Sequence, residues 1–288
     1  MNNSNTLVFR WVGKHIEGKL RKGSDPARLT LSSANRAKYI KLLHETLEQG
    51  LYAQAPQGDS LGDGFFQTTL PCLCFTESSV RSNLSHCHEY GRMAFGFTKQ
   101  FVAKHGGGPV HYTLGTQKDI VSQRLQRLHT YFAEAGLEHE RKDLDYITHF
   151  FKRLRPEIKS KKGEVGHRVT VIQRRLDENG QAIKYARYPR LVDLPYLKET
   201  EWRLVCPVPV PTTKNARWHS YEELNFHQKF IPNAKFHITP GSELQTVILP
   251  DNRTLQEVFG RTSLTNILFK SGRPPVQLIS LEGLTRLP

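Results

Sequence analysis

The sequence predicts an α+β fold, with strands and helices mixed in its first half and strands dominating its second half. Short apolar and aromatic runs bounded by glycine, proline and polar residues recur along the chain, as they do in strands. Several longer segments show helical periodicity, and the region after residue 165 is rich in β-branched and aromatic residues. We therefore predict a single domain over residues 1–288, with a helical insertion at about 118–156 and a β-rich half at about 165–288.

The first half opens with a short buried strand, LVFRWV at Leu7–Val12, followed by a loop over residues 13–34. Apolar residues recur at helical spacing in Arg36–Gln49, and Gly50 is well suited to end that helix. The other elements predicted before residue 118 are strands at LPCLCFT, RMAFGFT and VHYTL, short helices at Asn83–Tyr90 and KQFVAKH, and a break at GGGP.

Two helices and a set of strands are predicted in the remainder of the chain. Asp119–Ala135 has one apolar face, and Leu144–Leu154 is closed by Pro156. HRVTVIQRRL and QAIKYARY flank DENG, which is a hairpin signature. The last predicted elements are strands at EWRLVCPV, KFHITP, QTVILP and PVQLISL and a helix near Leu255–Phe259.

The composition is that of a globular protein with a strong positive charge. The chain is 38% hydrophobic and 24% charged, and its formal net charge is +14. It has no apolar run of the roughly 18 residues that cross a membrane, and no secretory signal. Four cysteines in 288 residues do not suggest a disulfide scaffold, so we expect a cytoplasmic protein with no membrane contact.

Basic residues concentrate between Arg141 and Arg190, where they alternate with aromatic residues. A field of this sign attracts polyanions. The aromatic residues that could stack on bases are Tyr185, Tyr188, Phe150 and Phe151. We therefore expect nucleic acid as a partner. An acidic protein that covers the basic surface, or a surface that is simply solvated, would carry the same charge.

The stretch PCLCFTESSVRSNLSHCHEYGRMAFGF, Pro71–Phe97, raises the question of a metal site. Its possible zinc ligands are Cys72, Cys74, His86, Cys87 and His88. In a strand, the two sulfurs of CLC lie about 7 Å apart on one face. On a helix, the neighbours in HCH point about 100° apart. Buried free cysteines are commoner than sites of this spacing, so we expect no metal.

The sequence lacks the usual hydrolase and nucleotide-binding motifs: it has no H-E-x-x-H, no P-loop and no G-x-G-x-x-G after a strand. The string GDSLG matches G-x-S-x-G, but it lies in the predicted loop APQGDSLGDG and is therefore no nucleophile elbow, which joins a strand to a helix. Polar residues do follow buried strands, as in FTES after PCLC and in KETEWRLVC, which contains Glu199 and Glu201. Polar residues at the ends of buried strands often line a cleft. Arg10 in the first strand is a third candidate for the same cleft.

The order of these motifs resembles the abortive-infection phage-resistance family of the AbiGi type. The matching pieces lie between about residues 7 and 250 and are HETLEQGL, PCLCFTES, HEYGRMAFGFTK, GPVHYT, ETEWRLV and FHITPGSELQTVILP. Members of the family tend to carry histidine in the first strand, as HF, where this chain has Arg10-Trp11.

The same order is similar to ADP-ribosyltransferases, which place Arg or His, then Ser or Thr, then Glu on successive core strands. This resemblance implies mixed and antiparallel sheets around an NAD cleft, with Arg10, Thr76 and Glu201 as catalytic residues. A carboxylate at Glu201 would stabilise an oxocarbenium-like ribose, and Arg10 would bind the pyrophosphate.

The resemblance also implies a set of NAD contacts. The residues expected to bind this co-substrate are Arg10, Thr76, His88, Tyr90 and Glu199. Each has a structural alternative: Arg10 in a surface ion pair, Thr76 as an ordinary strand residue, Glu201 paired with Arg203, His88 on a helix surface and Tyr90 in the core.

These observations lead to two hypotheses from different classes. The first is an NAD-dependent ADP-ribosyltransferase toxin of a phage-defence system that modifies nucleic acid, with RNA favoured, and is neutralised by an antitoxin protein covering its basic surface. The alternative is a non-enzymatic antitoxin or RNA-binding partner, since the family name has been attached to the antitoxin half of such systems. A metal-dependent nuclease is a weaker third possibility.

Overall fold

The fold is mixed α and β, as predicted, and is built around one large open sheet. A computed structural model describes residues 7–18, 20, 24–53, 72–77, 86–113, 120–153, 157–159, 165–176, 182–192, 200–205 and 235–284. The strands are β1 Leu7–Val12, β2 Leu51–Tyr52, β3 Cys72–Glu77, β4 Met93–Thr98, β5 Gly108–Pro109, β6 His111–Thr113, β7 Phe151–Arg153, β8 Glu157–Lys159, β9 Val165–Leu176, β10 Ala182–Val192, β11 Thr200–Val205, β12 Lys235–Phe236, β13 Leu244–Leu249 and β14 Gln277–Ser280.

The helices lie between these strands and in the last part of the described chain. They are α1 Lys14–Glu17, α2 Ser33–Gln49, α3 His86–Tyr90, α4 Lys99–Lys104, α5 Ile120–Glu134, α6 Glu138–Thr148, α7 Asn252–Phe259, α8 Thr262–Leu268 and α9 Leu281–Leu284, with a 3-10 turn at Pro26–Arg28. Side-chain caps define several starts, since Ser32 accepts from the Asn35 amide and Asp251 from the Thr254 amide.

The large sheet has seven strands in the order β14-β13-β4-β1-β3-β11-β5. Its neighbouring strands pair antiparallel, except that β13 and β14 run parallel. Smaller sheets are formed by β10-β9-β8, by β12 with β2, and by β6 with β7. Because β3 and β4 both run antiparallel to β1, their carboxyl ends reach the same edge of the large sheet.

Apolar residues cover both faces of the large sheet. On one face, Val8 packs with Tyr39 of α2 and with Phe95 and Phe97 of β4 in the larger core. On the other face, Phe9 and Trp11 pack in a smaller core that includes Cys87 and Leu281. This arrangement follows from the strand period, which sends successive side chains of β1 to opposite faces.

The helix predicted over Leu144–Leu154 is displaced in the structure. α6 ends at Thr148, and Phe151–Arg153 instead forms β7, which pairs in parallel with β6. The spacing of apolar residues here is compatible with a helix or a strand. Phe151–Arg153 forms a strand because pairing with β6 satisfies the backbone hydrogen bonds of these residues.

Other differences are smaller. The predicted loop over residues 13–34 contains α1, and α8 follows α7 where no helix was predicted. Part of the predicted break GGGP is the edge strand β5, which pairs with β11. The predicted hairpin strands are confirmed by the antiparallel pairing of β9 with β10. The DENG turn between them lies outside the described residues.

Candidate functional site

Three of the motifs singled out in the sequence meet at one edge of the large sheet. FTE ends β3, FTK spans the end of β4 and the start of α4, and EWR opens β11. β11 runs antiparallel to β3, so it begins where β3 ends. The topology therefore collects the charged residues of all three motifs in one place.

Glu77, Lys99 and Trp202 form a half-exposed polar cluster at this edge. Lys99 Nζ forms an ion pair with Glu77 Oε1, and the Trp202 indole N–H donates to Glu77 Oε2 at 2.7 Å. Lys99 Nζ also lies 5.4 Å from the centroid of the Trp202 ring, in cation–π range. Sequence reasoning missed this cluster, although two charged residues were a signal for it: Glu77, which ends β3, and Lys99, which directly follows β4.

Glu201 and Arg203 form a buried ion pair on β11. Arg203 Nε donates to Glu201 Oε1 at 2.9 Å, and Arg203 Nη1 donates to the main-chain oxygen of His149 at 2.7 Å. The Tyr112 hydroxyl lies 3.4 Å from Glu201 Oε2 as a further donor. Glu201 is 7% exposed and Arg203 is 2% exposed. The Glu201 carboxylate is thus held by internal donors.

Thr76 and Glu201 are brought together, because they are directly opposite each other on β3 and β11. Arg10 is placed differently. Phe9, the residue before Arg10, is the β1 residue opposite Thr76. Because successive residues of a strand lie on opposite faces, Arg10 lies on the face of the sheet opposite to Thr76 and Glu201. Arg10 Nη1 donates to the main-chain oxygen of Cys74 at 3.1 Å.

The remaining predicted NAD contacts are scattered. His88 is half-buried and Tyr90 is exposed on α3, which packs against β1. The Tyr90 ring stacks on His86 with centroids 5.6 Å apart. Glu199 lies outside the described residues.

Three cysteines lie on two elements: Cys72 and Cys74 on strand β3, and Cys87 on the buried face of helix α3. Cys72, Cys74 and Cys87 are free thiols. The hydrogen bond between Cys72 and Cys74, together with burial, raises the pKa of Cys72, and the same hydrogen bond lowers the pKa of Cys74. Burial raises the pKa of Cys87 to about 12. Among the described residues, no group of three or more His, Cys, Asp or Glu side chains could hold a metal ion.

The motif HEYGRMAFGF has a structural role through Gly91 and Arg92. Gly91 has a φ of 106°, and a Cβ there would lie 2.4 Å from the main-chain oxygen of Val12. Arg92 is fully buried, and its Nε donates to Glu17 Oε1 at 2.9 Å. Its Nη1 donates to the main-chain oxygen of Leu29 at 2.7 Å. Arg92 thus fastens the segment that follows β1 against the sheet.

None of the helices in the described part of the chain is long and apolar enough to cross a membrane.

Comparison with known proteins identifies the class of this chain as a phage-defence protein. The model of a family described as "Putative abortive phage resistance protein AbiGi, antitoxin" matches residues 58–229, more than half of the chain. The chain therefore belongs to the AbiGi family, as the order of its motifs predicted. Neither the curated proteins nor the solved structures contain a match to it.

This family membership corrects the leading functional hypothesis. The prediction of an NAD-dependent ADP-ribosyltransferase toxin is wrong, because the family is described as an antitoxin, the non-enzymatic alternative. The prediction of an enzyme fails for the same reason. The catalytic roles expected for Arg10, Thr76 and Glu201 depended on that reaction. NAD was expected only as its co-substrate and stays an untested prediction.

Proposed function

We propose that this chain is a non-enzymatic antitoxin, which neutralises the toxin of its phage-defence system by binding it. The observation that carries this proposal is the match of an antitoxin family over residues 58–229. An antitoxin implies a toxin as its partner. The basic surface of this chain is then a surface of the antitoxin, and the second protein expected to cover it is the toxin.

The geometry at the edge of the sheet supports a binding role over catalysis. The Glu201 carboxylate is buried and held by Arg203 and Tyr112, and Arg10 is bonded to the backbone of β3. A catalytic carboxylate must reach its substrate, whereas a buried ion pair fixes the position of a strand. The half-exposed Glu77–Lys99–Trp202 cluster holds three motifs of the family in a fixed arrangement.

Paired expression with the toxin of the same defence system tests this proposal. The toxin alone should arrest growth, co-expression of this chain should restore growth, and the two proteins should co-elute as one complex. The purified chain should release no nicotinamide from NAD. Growth arrest by this chain alone, or rescue without a complex, would overturn direct neutralisation. Thr76→Val keeps the volume of a half-buried strand residue and removes its hydroxyl, so it should neutralise as the parent does.

We also propose that the basic segment binds nucleic acid, with RNA favoured. Part of that segment is already neutralised, since Arg141 is paired with Glu138 at 2.7 Å. β9 and β10 themselves contain no Asp or Glu, and they carry six Lys and Arg residues: Arg168, Arg174, Arg175, Lys184, Arg187 and Arg190. The register places positions 168, 174 and 187 on one face of this ribbon.

Salt dependence tests this second function. Binding of RNA should weaken steeply as salt rises, because bound phosphates release counterions. Replacing Arg168, Arg174 and Arg187 together by Gln should make the plot of log affinity against log salt concentration less steep. Its slope should change by about one unit for each phosphate that is no longer bound. Arg190→Gln, on the other face of the ribbon, is the matched control. A parent whose affinity does not change with salt would exclude this electrostatic mode.

A further inference from the structure

Two phenylalanines lie stacked on the surface at the ends of successive helices. Phe259 is the last residue of α7, and Phe269 directly follows α8. Their rings are parallel to within 3°, with centroids 5.9 Å apart. Phe259 is 54% exposed and Phe269 is 37% exposed. Contiguous exposed apolar surface marks interaction sites, whereas apolar side chains exposed singly need no explanation.

The backbone that carries these rings is firmly anchored. Val258, the residue before Phe259, is fully buried, and Leu268, the residue before Phe269, is 1% exposed. Leu264 of α8 is also fully buried in the same core. Each exposed ring is therefore attached next to a fixed core residue, so the pair is held in place before any ligand arrives.

The charged residues that follow the two rings in the chain are all positive, and Glu257, which precedes Phe259, is paired with Arg36 at 3.3 Å. From Val258 to Leu281 the sequence contains no Asp or Glu, and Arg261, Lys270 and Arg273 are all exposed. Arg261 follows Phe259 by two residues, and Lys270 directly follows Phe269. We call these five residues, Phe259, Phe269, Arg261, Lys270 and Arg273, the cationic aromatic patch.

We propose that the cationic aromatic patch binds single-stranded nucleic acid by stacking bases on Phe259 and Phe269 and pairing phosphates with the three cations. Unpaired bases expose flat faces that stack on aromatic rings, while the phosphates beside them require positive charge. In a duplex the base faces are covered by their neighbours, so the rings would find nothing to stack on. A purely apolar protein groove would use the rings but would leave the three cations without partners.

This site is distinct from the β9–β10 ribbon and lies outside the residues that the family model matches. The two surfaces are expected to bind different features of a nucleic acid. The positive charge of the ribbon binds phosphates in any nucleic acid, whereas the cationic aromatic patch requires unstacked bases. The inference therefore does not depend on the antitoxin function, and the two can fail separately.

Fluorescence anisotropy with three labelled probes tests the inference, using the full chain in which Arg168, Arg174 and Arg187 are replaced by Gln so that the β9–β10 ribbon does not mask the patch. This triple variant is the parent in this experiment. The probes are a mixed-sequence single strand of 12 nucleotides, the same strand with abasic sites throughout its centre, and the corresponding duplex. The parent should prefer the intact single strand by about tenfold or more over the other two. Phe259→Ala/Phe269→Ala should lose about tenfold in affinity for the intact strand and nothing for the abasic strand.

Two variants separate stacking from other effects. Phe259→Tyr/Phe269→Tyr keeps both rings and should restore single-strand affinity. Leu128→Ala, which removes a 44% exposed apolar side chain from α5, should leave affinity unchanged. Equal binding of intact and abasic strands by the parent, or a double Phe→Ala variant that binds like the parent, would overturn the inference. A double variant that loses toxin binding but keeps single-strand binding would make the patch a protein-docking surface instead, and would also overturn it.

Discussion

Glu201 and Arg203, two residues apart on β11, form an ion pair of 2.9 Å in which both side chains are buried. Alternation places residues i and i+2 of a strand on the same face, so the pair needs no other element to bring it together. Two further hydrogen bonds to this pair come from other elements, and the sequence does not show them. Arg203 donates to the main-chain oxygen of His149, which follows α6, and the Tyr112 hydroxyl of β6 donates to Glu201. The glutamate that looked most available for chemistry is thus bonded within the fold.

Glu201→Gln should lower the free energy of unfolding by about 1–3 kcal/mol, because it removes a charged partner from the buried Arg203 guanidinium. Urea unfolding at constant m-value measures the change. Neutralisation of the toxin should persist at temperatures where the variant is folded. Glu45→Gln, at an exposed site on α2, is the control and should change stability by less than about 0.5 kcal/mol. A variant as stable as the parent that no longer neutralises would assign Glu201 to the toxin interface.

Trp202→Phe should destabilise the edge cluster, because phenylalanine cannot replace the indole N–H that donates to Glu77 Oε2. The loss should be about 1 kcal/mol for a half-exposed hydrogen bond to a carboxylate. A double-mutant cycle with Glu77→Ala, which removes the acceptor, should give a coupling of about 0.5 kcal/mol or more when measured by urea unfolding. Strict additivity of the two substitutions would show that the hydrogen bond contributes nothing to stability.

Gly91→Ala and Gly136→Ala should differ sharply, although both glycines have positive φ, 106° and 69°. A Cβ at Gly91 would lie 2.4–2.5 Å from main-chain atoms of Val12, Gly13 and Lys14, whereas a Cβ at Gly136 meets nothing within 4 Å. Gly136→Ala should cost only the left-handed backbone penalty of about 1–2 kcal/mol. Gly91→Ala should cost more than about 3 kcal/mol or prevent folding, since backbone atoms cannot move aside cheaply. Thermal unfolding of the two variants compares them, and equal melting temperatures would contradict the close approach.

Glu243→Gln should remove an acid-sensitive part of the stability. Burial opposes ionisation of Glu243, but hydrogen bonds from Lys104 and the Thr239 amide bring its pKa below the ordinary value of 4.5. A depressed carboxyl pKa contributes stability above about pH 4.5, and that contribution is lost as pH falls through the folded-state pKa. The difference in unfolding free energy between parent and variant should therefore be largest near pH 7 and shrink towards pH 3. A difference that stays constant over this range would show that ionisation of Glu243 is not involved.

Much of the fold could be predicted because its signals are local. β1, β3, β4 and β13 lie in apolar runs whose flanking polar residues end them, and α2 and α5 follow helical apolar spacing. Boundaries were less accurate, since α2 begins at Ser33, after the Ser32 cap, and not at Arg36. β7 was predicted as helix because its spacing fits both structures.

The candidate site was predictable only in part. The motifs FTE, FTK and EWR could be recognised, and the pairing of Thr76 with Glu201 follows once β3 and β11 are neighbours. The positions of the charged groups could not be derived in the same way. Whether Glu77 meets Lys99 depends on β1 lying between β3 and β4, which no local pattern encodes.

The sequence by itself determined the α+β class, most strands and helices, the strong positive charge and, through the order of its motifs, membership of the AbiGi family. These properties reside in composition and short-range pattern, which each segment carries alone. Only the tertiary structure decided that the Glu201–Arg203 pair is buried against His149 and Tyr112, that Arg92 is buried against Glu17, and that Phe259 and Phe269 stack at the surface. Such interactions depend on strand order and on helix ends that meet across distant parts of the chain, because an ion pair or a ring stack exists only at distances of a few ångströms.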